Sequence, residues 1–150
     1  MYFFKDKKER DVCLIPEVTA IIEQTYKESW VKSVKKPYNI FYVSRCYRYE
    51  RPQKGRYREF TQFGVEILGG KAPTDKERLL AVLDKCLNAL DIKEYDFIPS
   101  VKRGLDYYTE DGFEVECSSL GSQKQVAGGG RYSTGIGFAI GVDRLILSKT

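Results

Sequence analysis

Between Phe41 and Ile67 the chain alternates residue by residue around a turn at Pro52 and Gly55, and few folds accept that pattern. Pro fixes φ and Gly relaxes it, so the pair marks a reversal of direction. On the first limb Arg48 and Glu50 share one face, while Phe41, Val43, Tyr47 and Tyr49 share the other. On the second limb Arg56, Arg58, Phe60, Gln62 and Glu66 fall together, opposite Tyr57, Phe63, Val65 and Ile67. Period two with this sorting predicts a half-buried antiparallel hairpin from about Asn39 to Leu68, its apolar set turned to a core. The polar set is unusual. Arg45, Arg48, Arg51, Arg56 and Arg58 crowd this stretch, beside a carboxylate, a ring and an amide. Forked guanidiniums in that company suit a polyanionic ligand that carries a base.

The rest of the chain supplies what such a hairpin packs against. Met1 to Leu14 reads as a strand pair around the charged turn Asp6–Arg10. Pro16 then opens a helix, with Val18, Ile21, Ile22, Tyr26, Trp30, Val31 and Val34 at helical spacing, until Lys35-Lys36-Pro37 stops it. After a loop at Gly69, Gly70 and Pro73, Thr74 or Asp75 caps a second helix with an apolar stripe of Leu79, Leu80, Val82, Leu83, Cys86, Leu87 and Leu90. Tyr95–Pro99 reads as a short strand. A strand pair follows, ending near Cys117, then a flexible turn at Gly128-Gly129-Gly130, a Gly-spaced strand from Ile136 to Ile140 and a helix from Gly141 to Ser148. The order predicts one α+β domain over residues 1–150, an antiparallel sheet flanked by helices.

Absences narrow the chemistry. There is no histidine, which removes histidine general bases, serine–histidine triads and most transition-metal sites. The four cysteines are widely spaced without a CxxC and read as reduced thiols, so no metal site is expected. No apolar run reaches the ~18 residues of a membrane span, and MYFFKDKKERD has too little apolar length for a signal peptide. A cytoplasmic protein is expected. The net charge of +4 fits a nucleotide or RNA partner and equally plain solubility.

Arg48-x-Glu50, a loop and Arg58-x-Phe60 resemble motif 2 of class II aminoacyl-tRNA synthetases, and RYERPQKGRYREF followed by QFGVE is similar to its histidyl-tRNA synthetase form. Four more stretches resemble that family in the same order: CLIPEVTA, RGLDYYT, GGGRY and GFAIGVDRL, the last being like motif 3. The resemblance implies ATP and histidine as substrates, with Mg2+ accompanying ATP. Arg48 would meet the α-phosphate and the amino-acid carboxylate, Glu50 the adenine amino group, and Phe60 the adenine face. Arg144 would lie over the γ-phosphate and Arg56 or Arg58 along the outer phosphates. Arg103 would do at the α-phosphate what a metal does elsewhere. Glu17 and Thr19 would hold the α-amino group and Gln62 the backbone end, while Glu66 and Tyr108 would face the imidazole with Tyr132 nearby.

The sequence also departs from the family. Ile15 stands for an arginine, Val18 for a glycine, and Glu110-Asp111-Gly112 for Gly-Thr-Val. Counterparts of motif 1, which carries the family's dimer interface, of its insertion and of its anticodon-binding domain are not found. The expectation is therefore a pared-down core that makes histidyl-adenylate, with weak or partner-dependent transfer to tRNA and dimerisation left open. The alternative is a non-catalytic paralogue acting as a histidine- or nucleotide-binding regulatory subunit.

Overall fold

The computed structural model describes residues 1–70, 73–102 and 104–149. Its centre is a six-stranded antiparallel sheet of order β3-β4-β8-β7-β6-β5, formed by β3 (Tyr38–Tyr47), β4 (Glu59–Leu68), β5 (Asp96–Val101), β6 (Gly112–Glu116), β7 (Gln125–Tyr132) and β8 (Gly135–Gly141). A separate two-stranded hairpin joins β1 (Phe3–Lys5) to β2 (Asp11–Cys13). The helices are α1 (Thr19–Thr25), α2 (Pro73–Ala89) and α3 (Val142–Leu147).

The expected hairpin is β3 and β4, in unbroken register from Tyr38↔Leu68 to Tyr47↔Glu59. The two sheet faces differ in kind. One carries Ile67, Phe113, Val115, Ile136, Phe138 and Ile140, buried under the Leu79, Leu83 and Leu87 stripe of α2. Each of these leucines contributes about 1.5–3 kcal/mol by burial. The other face is nearly bare of side chains in its middle. Gly64 pairs with Ala139, Glu66 with Gly137, and Gly128 again with Ala139. Period two in β8 thus sorts Ile and Phe to the core and Gly and Ala to the opposite side. At one end of that bare face, Ile22 and Tyr26 pack on Leu68 and Tyr132.

Several boundaries differ from the sequence reading. Pro16 does not open the helix. Its carbonyl accepts Arg48 Nε–H at 2.9 Å, and the Glu17 carboxylate accepts the Ala20 amide at 3.1 Å, so α1 begins at Thr19. The helix then widens into a π turn over Tyr26–Trp30, where the Val31 amide reaches the Tyr26 carbonyl at 2.8 Å. α2 starts at Pro73 and holds Thr74 and Asp75 in its first turn rather than before it. The stretch before Cys117 is one strand, β6, bonded between β5 and β7, because Tyr108 makes only an isolated bridge to Tyr132. On β3, Phe41 and Val43 face outward to solvent, since α2 covers their partners on β4 and stops short of the sheet edge.

The largest correction concerns Gly128-Gly129-Gly130, which lies inside β7 and is no turn. The reversal falls instead at Ser133-Thr134, between β7 and β8. At Gly129 a Cβ would sit 2.2 Å from the Gly137 carbonyl and 2.8 Å from the Phe113 ring. The glycine run is therefore packing, not flexibility. Gly129→Ala is expected to destabilise the fold by about 1–3 kcal/mol, the usual cost of overfilling a packed site. The shift in the urea midpoint measures it; a flexible turn would register almost no change.

Candidate active site

The bare sheet face, the start of α1, the segment between β5 and β6 at Leu105, Tyr107 and Tyr108, and the first turn of α3 enclose a cleft of about 140 Å³. Arg48 enters from the end of β3, Glu50 and Arg56 from the β3–β4 loop, and Phe60 and Gln62 from β4. Glu17 and Thr19 close one wall, Tyr107 and Tyr108 another, and Asp143 and Arg144 a third. The Arg48 guanidinium lies 4.9 Å from the centre of the Phe60 ring. That places a flat cation over an aromatic face, with a contact of about 0.5–1 kcal/mol.

Three guanidiniums, those of Arg48, Arg56 and Arg144, line this one half-buried space. Burial first, and then Arg48 and Arg56 as like charges, hold Arg144 below its ordinary proton affinity. Protein acceptors occupy it at present. Arg144 donates from Nε to the Gly55 carbonyl, from Nη1 to the Gln125 carbonyl at 2.9 Å, and from Nη2 to Gln123 Oε1 at 3.3 Å. The loop above it is a tight turn in which the Gln53 and Arg56 backbones bond each other at 3.1 and 2.9 Å. Gly55 sits there at φ +75°, a conformation other residues adopt only with strain. Arg56 is ion-paired to Glu50. Arg58 is not in the cleft; it is exposed, bonds the Glu50 carbonyl at 3.0 Å and lies 5.2 Å from the Tyr49 ring.

The other end of the site is built deeper. Glu66 is fully buried, accepting the Thr19 hydroxyl at 2.7 Å and the Tyr132 hydroxyl at 2.8 Å. It and Tyr132 lie beneath the cleft rather than on its wall. Room for the carboxylate comes from Gly137, where a Cβ would fall 1.5 Å from Glu66 Oε2. Glu17 accepts the Tyr107 hydroxyl at 3.1 Å, and Gln62 Oε1 takes the Cys46 thiol at 3.3 Å. Arg103 lies outside the described residues.

Sequence reasoning missed Tyr107 and Asp143. Tyr107 was hidden by its neighbour, because a Tyr-Tyr pair does not say which ring turns inward; both line the cleft. Asp143 follows from geometry alone. β4 and β8 part after Gln62↔Gly141, and the Asp143 carboxylate takes the next amide, that of Thr61, at 2.6 Å. Among the described residues no three acidic or thiol groups converge as metal ligands.

Residues 2–134 match the tRNA synthetase class II core domain (G, H, P, S and T), and the chain belongs to that family. Its curated relatives include the histidine–tRNA ligases of Dictyoglomus turgidum, 30% identical, and Clostridioides difficile, 28% identical. These alignments take in 98% and 99% of this chain and 60% of each relative. They run over 248 and 250 positions against a chain of 150 residues, so long stretches of the relatives have no counterpart here. The apo histidyl-tRNA synthetase of S. aureus superposes with a TM-score of 0.83 at 28% identity, over 99% of this chain and 55% of that one. An ATP phosphoribosyltransferase regulatory subunit/histidyl-tRNA synthetase from Bacillus halodurans shares the fold, with a TM-score of 0.80 at 15% identity, over 98% of this chain and 67% of that one.

Burial drives the Glu66 carboxyl from its ordinary 4.5 up to about 7, against the pull of the Thr19 and Tyr132 hydrogen bonds and with Glu17 and Glu23 adding to the rise. Between those values the folded chain holds a proton that the unfolded chain has lost. The stabilisation is therefore complete below about pH 4.5 and is lost as pH rises through about 7. The difference in melting temperature between wild type and Glu66→Gln should drift in that direction across this window and level off above it. A difference independent of pH would mean that Glu66 titrates normally.

Proposed function

We propose that this chain is a histidine-activating core: it binds histidine and ATP in the cleft and joins them as histidyl-adenylate. The observation that carries the reading is the convergence of Arg48, Arg56 and Arg144 on a half-buried space with an aromatic ring, Phe60, at its side. Like charges gathered against burial favour an anionic ligand that disperses over several oxygens. The histidine–tRNA ligase names of the relatives support the substrate pair.

In the reaction the histidine carboxylate oxygen attacks the α-phosphorus, and the bond to the β-phosphate oxygen breaks to release pyrophosphate. Arg48 is assigned to the α-phosphate and the carboxylate, Arg144 and Arg56 to the outer phosphates, and Phe60 to the adenine face. Glu50 is assigned to the adenine amino group, which requires it to release Arg56. Gln62, Glu17 and Thr19 are assigned to the backbone end of histidine, and Glu66 with Tyr108 and Tyr132 to the imidazole, which requires Glu66 to give up its Thr19 or Tyr132 bond and open to the cleft. A carboxylate and phenols can pair with ring nitrogens, which an apolar floor cannot. Catalysis is electrostatic: fixed donors meet charge as it develops on the phosphate. Magnesium would arrive on the ATP phosphates and, with the arginines, would neutralise charge there. A regulatory, non-catalytic role is the second reading. It is favoured by one fact, that Glu50 and Arg144 are already engaged by protein partners.

Pyrophosphate exchange with each amino acid in turn separates the two: histidine alone should support it. Arg103, which the family resemblance assigns to the α-phosphate, supplies a sharper test. Arg103→Ala should lower exchange by about 10²-fold or more while histidine affinity stays nearly intact. A parallel fall in both would make Arg103 structural. Transfer to tRNA is expected to be slow and weakly selective, with binding in the micromolar range or worse, roughly 10⁻⁴–10⁻⁶ M as for non-specific nucleic-acid contacts. Fast, discriminating charging of histidine tRNA over a mismatched tRNA at about physiological salt would contradict this.

A further inference from the structure

The turn between β7 and β8 lacks what a tight hairpin ordinarily relies on. β7 ends at Tyr132 and β8 starts at Gly135, so Ser133 and Thr134 make the whole reversal, with Tyr132 and Gly135 paired across it. Two-residue turns that match the twist of their strands place glycine, asparagine or aspartate in the left-handed region. Neither Ser133 nor Thr134 is of that type, and neither takes a positive φ. The turn is held from outside instead. The Gly69 amide donates to the Thr134 carbonyl at 2.7 Å, which fixes the turn to the end of β4. The Ser133 hydroxyl donates to Glu23 Oε1 at 2.7 Å and the Thr134 hydroxyl to the same oxygen at 3.4 Å, which fixes it to α1.

Glu23 is buried, and a carboxylate leaves water at low cost only where donors meet it. Lys27, one helical turn further on, adds its Nζ at 3.0 Å to the two hydroxyls. Glu23 also lies four residues after Thr19, so the two share a face of α1. Thr19 bonds one oxygen of Glu66, and Tyr132, the residue just before the turn, bonds the other. The contacts close a ring: from Glu66 to Thr19, along α1 to Glu23, across to Ser133 and back through Tyr132 to Glu66. Ile22 and Tyr26 press on the Tyr132 ring as well, but apolar packing has no direction. The bonds at the turn set the angle at which the Tyr132 phenol leaves β7. That angle reaches the cleft, because the Tyr132 ring stands edge-on to Tyr107 with centres 6.2 Å apart, and Tyr107 lines the cleft wall.

We propose that Glu23 is a positioning residue for the substrate side chain: by pinning Ser133 and Thr134 to α1, it keeps the Tyr132 hydroxyl and Glu66 aimed at the place where an imidazole is read. Glu23 itself touches no substrate. The proposal rests on the reading of Glu66 and Tyr132 as the imidazole end of the cleft. When Glu66 turns toward a ligand and lets one hydroxyl go, Glu23 holds α1 and the turn in place, so the other hydroxyl still meets it. The phosphate end does not depend on this tie. Arg144 bonds the start of β7, at Gln125, a strand's length from the turn.

Calorimetric titration of the intact chain with histidine and with ATP, each alone, tests this. Glu23→Ala should weaken histidine binding about tenfold, the scale of one charge-assisted hydrogen bond, and leave ATP binding unchanged. Ser133→Ala changes an exposed residue that the fold tolerates, and should act in the same direction. Joining the two substitutions should cost little more than Glu23→Ala alone, because both remove one contact. Glu23→Gln keeps an acceptor for the hydroxyls and should recover most of the affinity. A general loosening of the fold would instead weaken both ligands together. Histidine affinity indifferent to Glu23→Ala and Ser133→Ala, an equal loss for both ligands, or no recovery with Glu23→Gln would overturn the proposal and leave the functional reading standing. A wild-type chain that binds no histidine would overturn that reading and the proposal with it.

Discussion

Glu66 is the point at which the ligand side of this fold is tied together. Its carboxylate is fully buried yet doubly hydrogen-bonded, to Thr19 at the start of α1 and to Tyr132 at the end of β7. A buried carboxylate is tolerated only when its oxygens are satisfied. Here that requirement draws three elements to one spot and demands a fourth, since only a glycine at position 137 leaves space for the oxygens. The position of α1 over the sheet, and hence the wall that carries Glu17, follows from that one group.

A second constraint is electrostatic. Arg48, Arg56 and Arg144 repel one another, and the fold holds them apart by giving each a local partner: the Pro16 carbonyl, the Glu50 carboxylate and the Gly55 carbonyl. Two of these partners sit in the β3–β4 loop or at its root. The loop and the helix that bears Arg144 are thereby coupled, although they lie far apart in sequence. Asp143 strengthens the coupling by taking the Thr61 amide where β4 runs out of ladder partners.

Much of this was legible in the sequence because alternation survives burial. The β3–β4 hairpin, the α2 stripe and the Gly-spaced β8 all follow from periods of two or 3.6. The match to the class II core and the superposition on the S. aureus enzyme bear out the family and the antiparallel sheet. What was not legible depended on contacts between distant residues. Pro16 looks like a helix opener until Arg48 claims its carbonyl. Three glycines look like a turn until Phe113 and the Gly137 carbonyl fill the space beside the middle one. Phe41 and Val43 look like core because their pattern is right, and only the reach of α2 decides that they are not. Arg56 and Arg58 share a face in sequence, but the tight turn at Gln53–Arg56 brings one inward and leaves the other on Tyr49.

Under the proposed function, the turn held by Arg144 bears on how strongly a nucleotide would bind. A ligand that needs Arg144 or Glu50 competes with the Gly55 carbonyl and with Arg56, so it meets a binding-competent protein only in the fraction of molecules whose loop has let go. Its apparent dissociation constant is the intrinsic one divided by that fraction. Changes confined to Gln53 or Lys54, neither of which lines the cleft, would therefore rescale that affinity by altering a population. The loop sequence acts as a gain control on the site beneath it.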